Sequence, residues 1–132
     1  MTLDLGQSFF TPESSYVPRH LWIVVSNPQA DQVVIVNFSS WPTPRAATDP
    51  DPPCDVQAAE HPDLSKDSYV RCDKARLVQP QDLERLLGSK TLSPAKQAPP
   101  ALVTKLQRAL GESKETPTEI KTLLRAQGYI PP

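Results

Sequence analysis

Arg19-His20-Leu21-Trp22-Ile23-Val24-Val25-Ser26-Asn27-Pro28-Gln29-Ala30-Asp31-Gln32-Val33-Val34-Ile35-Val36-Asn37-Phe38-Ser39-Ser40 reads as two strands joined by a hairpin loop. Its apolar runs, Leu21 to Val25 and Val33 to Phe38, are rich in the β-branched residues that suit a buried strand. Asn27, Pro28 and Asp31 between them are turn residues. In an antiparallel hairpin the start of one strand lies beside the end of the next. That arrangement sets Arg19 and His20 beside Ser39 and Ser40, a titratable base near a hydroxyl.

Upstream, Gly6-Gln7-Ser8-Phe9-Phe10 reads as a short first strand, and Pro12 and Pro18 interrupt the segment between it and Arg19. Downstream, Pro42, Pro44, Pro50, Pro52 and Pro53 make residues 41 to 53 a long loop, because proline cannot donate to a sheet ladder. Cys54-Asp55-Val56 is a short strand, and Ser68-Tyr69-Val70-Arg71-Cys72 alternates as a half-buried strand does. Ala75, Leu77 and Val78 form another. Pro62 disfavours helix at His61, so Glu60-His61-Pro62-Asp63 is a turn.

The last third carries helical patterns. Asp82 caps a helix bearing Leu83, Leu86 and Leu87 and closed by Gly88. After a linker over 89–98, a second helix starts near Pro99 or Pro100, aligns Leu102, Leu106 and Leu110, and stops at Gly111. A third, capped by Thr116 with Pro117 in its first turn, carries Ile120, Leu123 and Leu124 and ends at Gly128. Strands succeeded by helices predict one α+β domain, a small barrel or curled sheet with helices against one side.

A chain of 132 residues with a formal net charge of −1 excludes a nucleic-acid binder that works by bulk positive charge, so any RNA contact needs a local patch. Lys66, Arg71, Lys74 and Arg76 against Asp67 and Asp73 supply one. No apolar run is long enough for a membrane span, and the first residues lack the basic-then-apolar pattern of a signal peptide. The expectation is a soluble, cytoplasmic protein. Cys54, His61 and Cys72 are spaced too widely for a zinc knuckle, and no phosphate-cradling glycine loop occurs, so neither metal nor cofactor is expected.

His20-Leu-Trp-Ile-Val-Val-Ser26, Val34-Ile-Val-Asn-Phe-Ser39 and Asp67-Ser-Tyr-Val70 with Asp73-Lys-Ala-Arg76 after it resemble the core words of MazF/PemK (Kid)-type toxins. With Glu60-His-Pro62 and Cys54-Asp-Val56, the chain resembles an uncharacterised bacterial family of PemK-like proteins more closely still. Residues 19 to 78 carry the likeness. It implies a small SH3-like antiparallel barrel with about three C-terminal helices packed on it. It further implies a homodimer, metal-independent cleavage of single-stranded RNA, and an antitoxin segment that blocks the site.

By position, the catalytic Thr or Ser of such toxins falls on Ser39. Their Arg falls on His20, with Arg19 one residue earlier. The change matters: arginine clamps phosphate as a permanent cation, whereas histidine can take and return a proton. The expected catalytic set is therefore His20 as acid or base, Ser39 and Arg19 on the phosphate, and His61 as a second proton carrier. The expected substrate-binding set is Ser40, Lys74 and Arg76, with Trp41 and Tyr69 stacking on bases. Trp22, inside a strand, belongs to the core. The alternative is a non-catalytic SH3-like barrel that binds a protein or nucleic acid.

Overall fold

The computed structural model describes residues 3–12, 19–40 and 55–132, Ser40 by its backbone alone. In chain order the elements are β1 Ser8–Phe10, β2 Leu21–Val24, β3 Val33–Ser40, β4 Asp55–Val56, β5 Ser68–Val70, β6 Arg76–Val78, α1 Pro80–Gly88, β7 Ser93–Pro94, α2 Pro100–Glu112 and α3 Thr118–Ala126. Single 3₁₀ turns occupy Ala58–Glu60 and Cys72–Lys74.

The two apolar runs are antiparallel neighbours, as expected, in the register Trp22↔Asn37, Ile23↔Val36 and Val24↔Ile35. Asn27 sets the turn between them: its Oδ1 accepts from the Gln29 amide at 3.0 Å, an Asx turn. Ser26 closes the hairpin by accepting the Val34 amide on Oγ at 2.7 Å. β1 lies against β2, and β7 lies outside β1 with Phe9↔Pro94 and Phe10↔Ser93. The expected linker over 89–98 thus contains an edge strand, and Pro94 is tolerated there because an edge needs no second ladder.

The other edge of β3 serves two strands in succession. Its far end pairs with β5 (Phe38↔Val70, Ser39↔Tyr69) and its near end with β6 (Val34↔Leu77). The 3₁₀ turn at Cys72–Lys74 bridges the step from β5 to β6. β4 adds to β5. The result is an α+β fold built on a seven-stranded antiparallel sheet in the order β4-β5-β3-β2-β1-β7, with β6 also on β3. Among the described residues its ends, β4 and β7, do not pair, so the expected closed barrel is not formed.

Both faces of the central strands are covered, which explains runs that are apolar rather than alternating. Leu21, Ile23, Val34, Val36 and Phe38 pack with Leu102, Leu106 and Leu110 of α2 and Ile120 and Leu124 of α3. On the opposite face Trp22, Val24, Val33 and Ile35 pack with Phe9, Leu83 and Leu87. The helices are therefore not all on one side, as the order of elements suggests: α1 takes the second face. A strand apolar at every position needs cover above and below.

Helix ends differ from the expected caps by a few residues. Gln79 precedes α1 with Pro80 in its first turn, leaving Asp82 inside the helix. Pro117 is the N-cap of α3, and Thr116 Oγ1 is buried without a hydrogen-bond partner among the described residues instead of capping. Gly128 ends α3 with φ +78°, letting the Tyr129 amide reach the Leu124 carbonyl at 2.9 Å.

Candidate functional site

Continuing the β2–β3 register beyond Trp22↔Asn37 sets His20 opposite Ser39, on the face that carries Trp22 and Ile35. The His20 backbone is held twice by Thr11: its carbonyl accepts the Thr11 amide at 3.1 Å, and its amide donates to Thr11 Oγ1 at 3.2 Å. The ring is oriented by Nδ1, which lies 3.2 Å from the Phe38 carbonyl. A carbonyl only accepts, so Nδ1 carries the proton and the neutral ring keeps its lone pair on Nε2. A base with a fixed tautomer results.

Around this ring a cleft of about 270 Å³ opens, bounded on one side by Phe10, Arg19, His20 and Ser39 and on the other by residues 63–66. Arg19 lies with its guanidinium carbon 3.7 Å from the Phe10 ring centroid, a cation–π contact that holds it at the mouth. Lys66 lines the same cleft from the 63–66 segment. Asp63 also lines the cleft, but its carboxylate accepts the Lys96 amide at 2.6 Å. Among the described residues neither Arg19 nor Lys66 has an acidic partner. A narrow cleft with two cations, an imidazole and a hydroxyl suits a phosphodiester.

Ser39 has a second neighbour. β5 pairing puts Tyr69 opposite it, and Arg71, two residues on, reaches back with Nη1 3.4 Å from Ser39 Oγ. Arg71 is clamped by Asp73 through two hydrogen bonds, Nε to Oδ1 at 2.9 Å and Nη2 to Oδ2 at 2.8 Å. The bidentate bond to Asp73 raises the Arg71 pKa, and the same bond lowers that of Asp73. The guanidinium also lies 5.9 Å from the Tyr69 ring centroid. A permanently charged, oriented guanidinium therefore stands beside the hydroxyl that the sequence singles out.

His61 is placed differently. It is 1% exposed and does not line the cleft. Its Nδ1 accepts the Asp63 amide at 3.0 Å, and its Nε2 lies 3.0 Å from Ser8 Oγ, which donates to the Gly6 carbonyl at 3.1 Å. An amide can only donate, so Nδ1 must be bare and Nε2 protonated. Burial lowers the His61 pKa below its ordinary 6.5, opposed by the charge of Asp63 and the backbone of Lys96. The unfolded chain thus binds a proton that the folded chain refuses, and stability must fall as pH drops below about 6.5. We expect the melting temperature to decline from pH 7 to pH 5.5, and His61→Asn, which has no titrating group, to flatten that part of the profile.

The remaining expected residues are dispersed. Lys74 is exposed on the 3₁₀ turn, and Arg76, exposed on β6, lies 5.6 Å from the Trp22 ring; neither lines the cleft. Tyr69 is half-buried across from Ser39. Ser40 pairs with Ser68 through its backbone, and its side chain, like Trp41, Cys54 and the loop over 41–53, lies outside the described residues. Trp22 belongs to the core, as expected, with Nε1 lacking a hydrogen-bond partner among the described residues. Cys72 is buried.

The sequence alone does not disclose the Arg71–Asp73 clamp, and it marks Arg71 and Lys66 only as members of a basic segment. The signal it holds is the spacing of Tyr69 and Arg71, which share a strand face. Which strand that face meets is decided by pairing across more than 30 residues. Among the described residues no group of three or more His, Cys, Asp or Glu is gathered as a metal site, and no helix is long and apolar enough to cross a membrane. No protein-family model matches the chain, and no curated protein matches it either.

Proposed function

We propose that the chain is a diverged MazF/PemK-type toxin: a cytoplasmic, metal-independent endoribonuclease that cuts single-stranded RNA and is held in check by an antitoxin protein. The observation that carries this reading is the cleft in which Arg19, His20 and Ser39 meet, with the Arg71–Asp73 clamp behind Ser39. The antiparallel meander of β1, β2 and β3, continued by β5 and β6 along β3, supports its kinship with the SH3-like barrel.

In this mechanism His20 Nε2 takes the proton of a ribose 2′-hydroxyl. The 2′-oxygen attacks the adjacent phosphorus, the bond to the 5′-oxygen breaks, and the proton passes to that leaving oxygen. The products are a 2′,3′-cyclic phosphate and a 5′-hydroxyl. Arg19 and Lys66 hold the phosphate, while Ser39 and Arg71 meet the negative charge that builds on it. Tyr69 offers a ring for a flanking base.

Incubation of the purified protein with single-stranded RNA in excess chelator is expected to yield fragments ending in cyclic phosphate. Double-stranded RNA is expected to stay intact. RNA that is bound but never cut would instead identify a non-catalytic binding module. RNA neither bound nor cut would remove the proposal altogether.

The proposal includes a homodimer, since a small domain with short edge strands gains core by pairing. Sedimentation at micromolar concentration is expected to give about twice the mass of the chain. A monomer across that range would remove this part.

A further inference from the structure

We propose that His61 gates the cleft: its neutral ring ties the 63–66 wall to β1, and uptake of a proton releases that wall together with Lys66. The inference rests on reading the cleft as a site for a phosphodiester.

Its basis is the forced tautomer. The two ring nitrogens bind in opposite senses and to different elements. Nδ1 accepts from the Asp63 amide at the root of the wall, and Nε2–H donates to Ser8 of β1. Ser8 in turn spends its own proton on the Gly6 carbonyl. A proton on Nδ1 would set two donors against each other at 3.0 Å, with His61 1% exposed and no room for solvent between them. The contact that breaks is the hydrogen bond that the backbone N–H of Asp63, the first residue of the wall, donates to Nδ1.

The surroundings limit what else can move. Around His61, Ser8 and Gly6 come from β1 and its approach, Lys96 from the segment before α2, and Asp63 from the wall itself. Glu60, immediately before His61, is fixed by Lys105 of α2 at 2.9 Å. Its Oε2 also accepts the Gln57 amide. The turn before His61 is therefore anchored on α2. The wall after it is tied by the Nδ1 contact, by the Asp63–Lys96 bond, by the Leu64 amide on the His61 carbonyl at 3.2 Å and by Ser68 Oγ on the Lys66 carbonyl at 2.9 Å. Loss of the first leaves Lys66 on a chain held at one point fewer.

The predicted sign is opposite to that of simple electrostatics. Acidification adds positive charge and should tighten binding of any anion. Release of the wall weakens it.

The test uses the full chain and a short 2′-O-methyl single-stranded oligonucleotide, which cannot be cut because it lacks the attacking hydroxyl. Affinity is measured by fluorescence anisotropy from pH 7.5 to 5.0 at constant ionic strength, with folding monitored by circular dichroism. For the wild type, affinity is expected to weaken toward pH 5.0 by roughly two- to tenfold, the worth of one lost hydrogen bond. His61→Asn keeps an acceptor for the Asp63 amide and cannot titrate, so its affinity should not weaken. His20→Gln removes the imidazole that lines the cleft itself, so its affinity should weaken toward pH 5.0 at least as much as that of the wild type. An acid loss that persists in His61→Asn, or vanishes in His20→Gln, overturns the inference.

The Asp63 amide supplies an independent readout by nuclear magnetic resonance on the wild type alone. Its exchange protection, corrected for intrinsic rate, is expected to drop on acidification while that of β2 and β3 holds. Unchanged protection at Asp63 would also overturn the gate. Should the oligonucleotide fail to bind at any pH, the functional reading falls, and the amide measurement still decides whether His61 releases the wall.

Discussion

His20→Ala is expected to lower RNA cleavage by about a hundredfold or more, the usual cost of losing a general acid or base. The reason is geometric. The Phe38 carbonyl holds the Nδ1 proton in place, so Nε2 is the one basic atom the ring can offer to the cleft. No other imidazole can substitute, since His61 has both nitrogens engaged at the far side of the wall. The fold should survive, because His20 is half-buried and its backbone bonds to Thr11 do not depend on the side chain. The measurement is the initial rate on a fluorogenic single-stranded RNA, with circular dichroism on the same samples. Undiminished cleavage by a folded His20→Ala protein would remove His20 from the mechanism.

Arg71→Ala is expected to cost about 10²- to 10³-fold in turnover, the range found when one preorganised donor to a developing anion is removed. Stability should change little. The Arg71–Asp73 pair has side chains 27% and 36% exposed, and ion pairs in such positions contribute little to folding. Arg71→Lys should rescue poorly, because an ammonium cannot engage Asp73 with two parallel bonds and still extend a third donor toward Ser39. Asp73→Asn keeps the guanidinium but loosens its clamp, so its loss in turnover should be smaller than that of Arg71→Ala. Single-turnover rates at saturating RNA separate this effect from weakened binding. An Arg71→Ala protein with unchanged single-turnover rate would confine Arg71 to a surface ion pair.

Much of the candidate site is legible in the sequence. The apposition of His20 and Ser39 comes from the hairpin alone, since two runs joined by a short Asn-Pro turn leave only antiparallel pairing. The positions of α2 and α3 come from leucine spacing and from the prolines and glycines at their ends. His61 cannot be read in the same way. A histidine in a Glu-His-Pro turn looks accessible, and only the return of β1 beneath that turn buries the ring against Ser8.

What the sequence by itself determined is local: the central hairpin, the short strands after residue 55, the three helices, and the pairing of a base with a hydroxyl at one sheet end. These depend on side-chain patterns within a few residues of one another, where propensity and turn chemistry act. What only the tertiary structure decided is relational. α1 covers the face opposite α2 and α3, β5 and β6 share one edge of β3, and Arg71 arrives beside Ser39. Those outcomes are set by register and by burial among residues far apart in the chain. A shift of one residue in β5 would turn Arg71 to the other face, so no local pattern could have specified it.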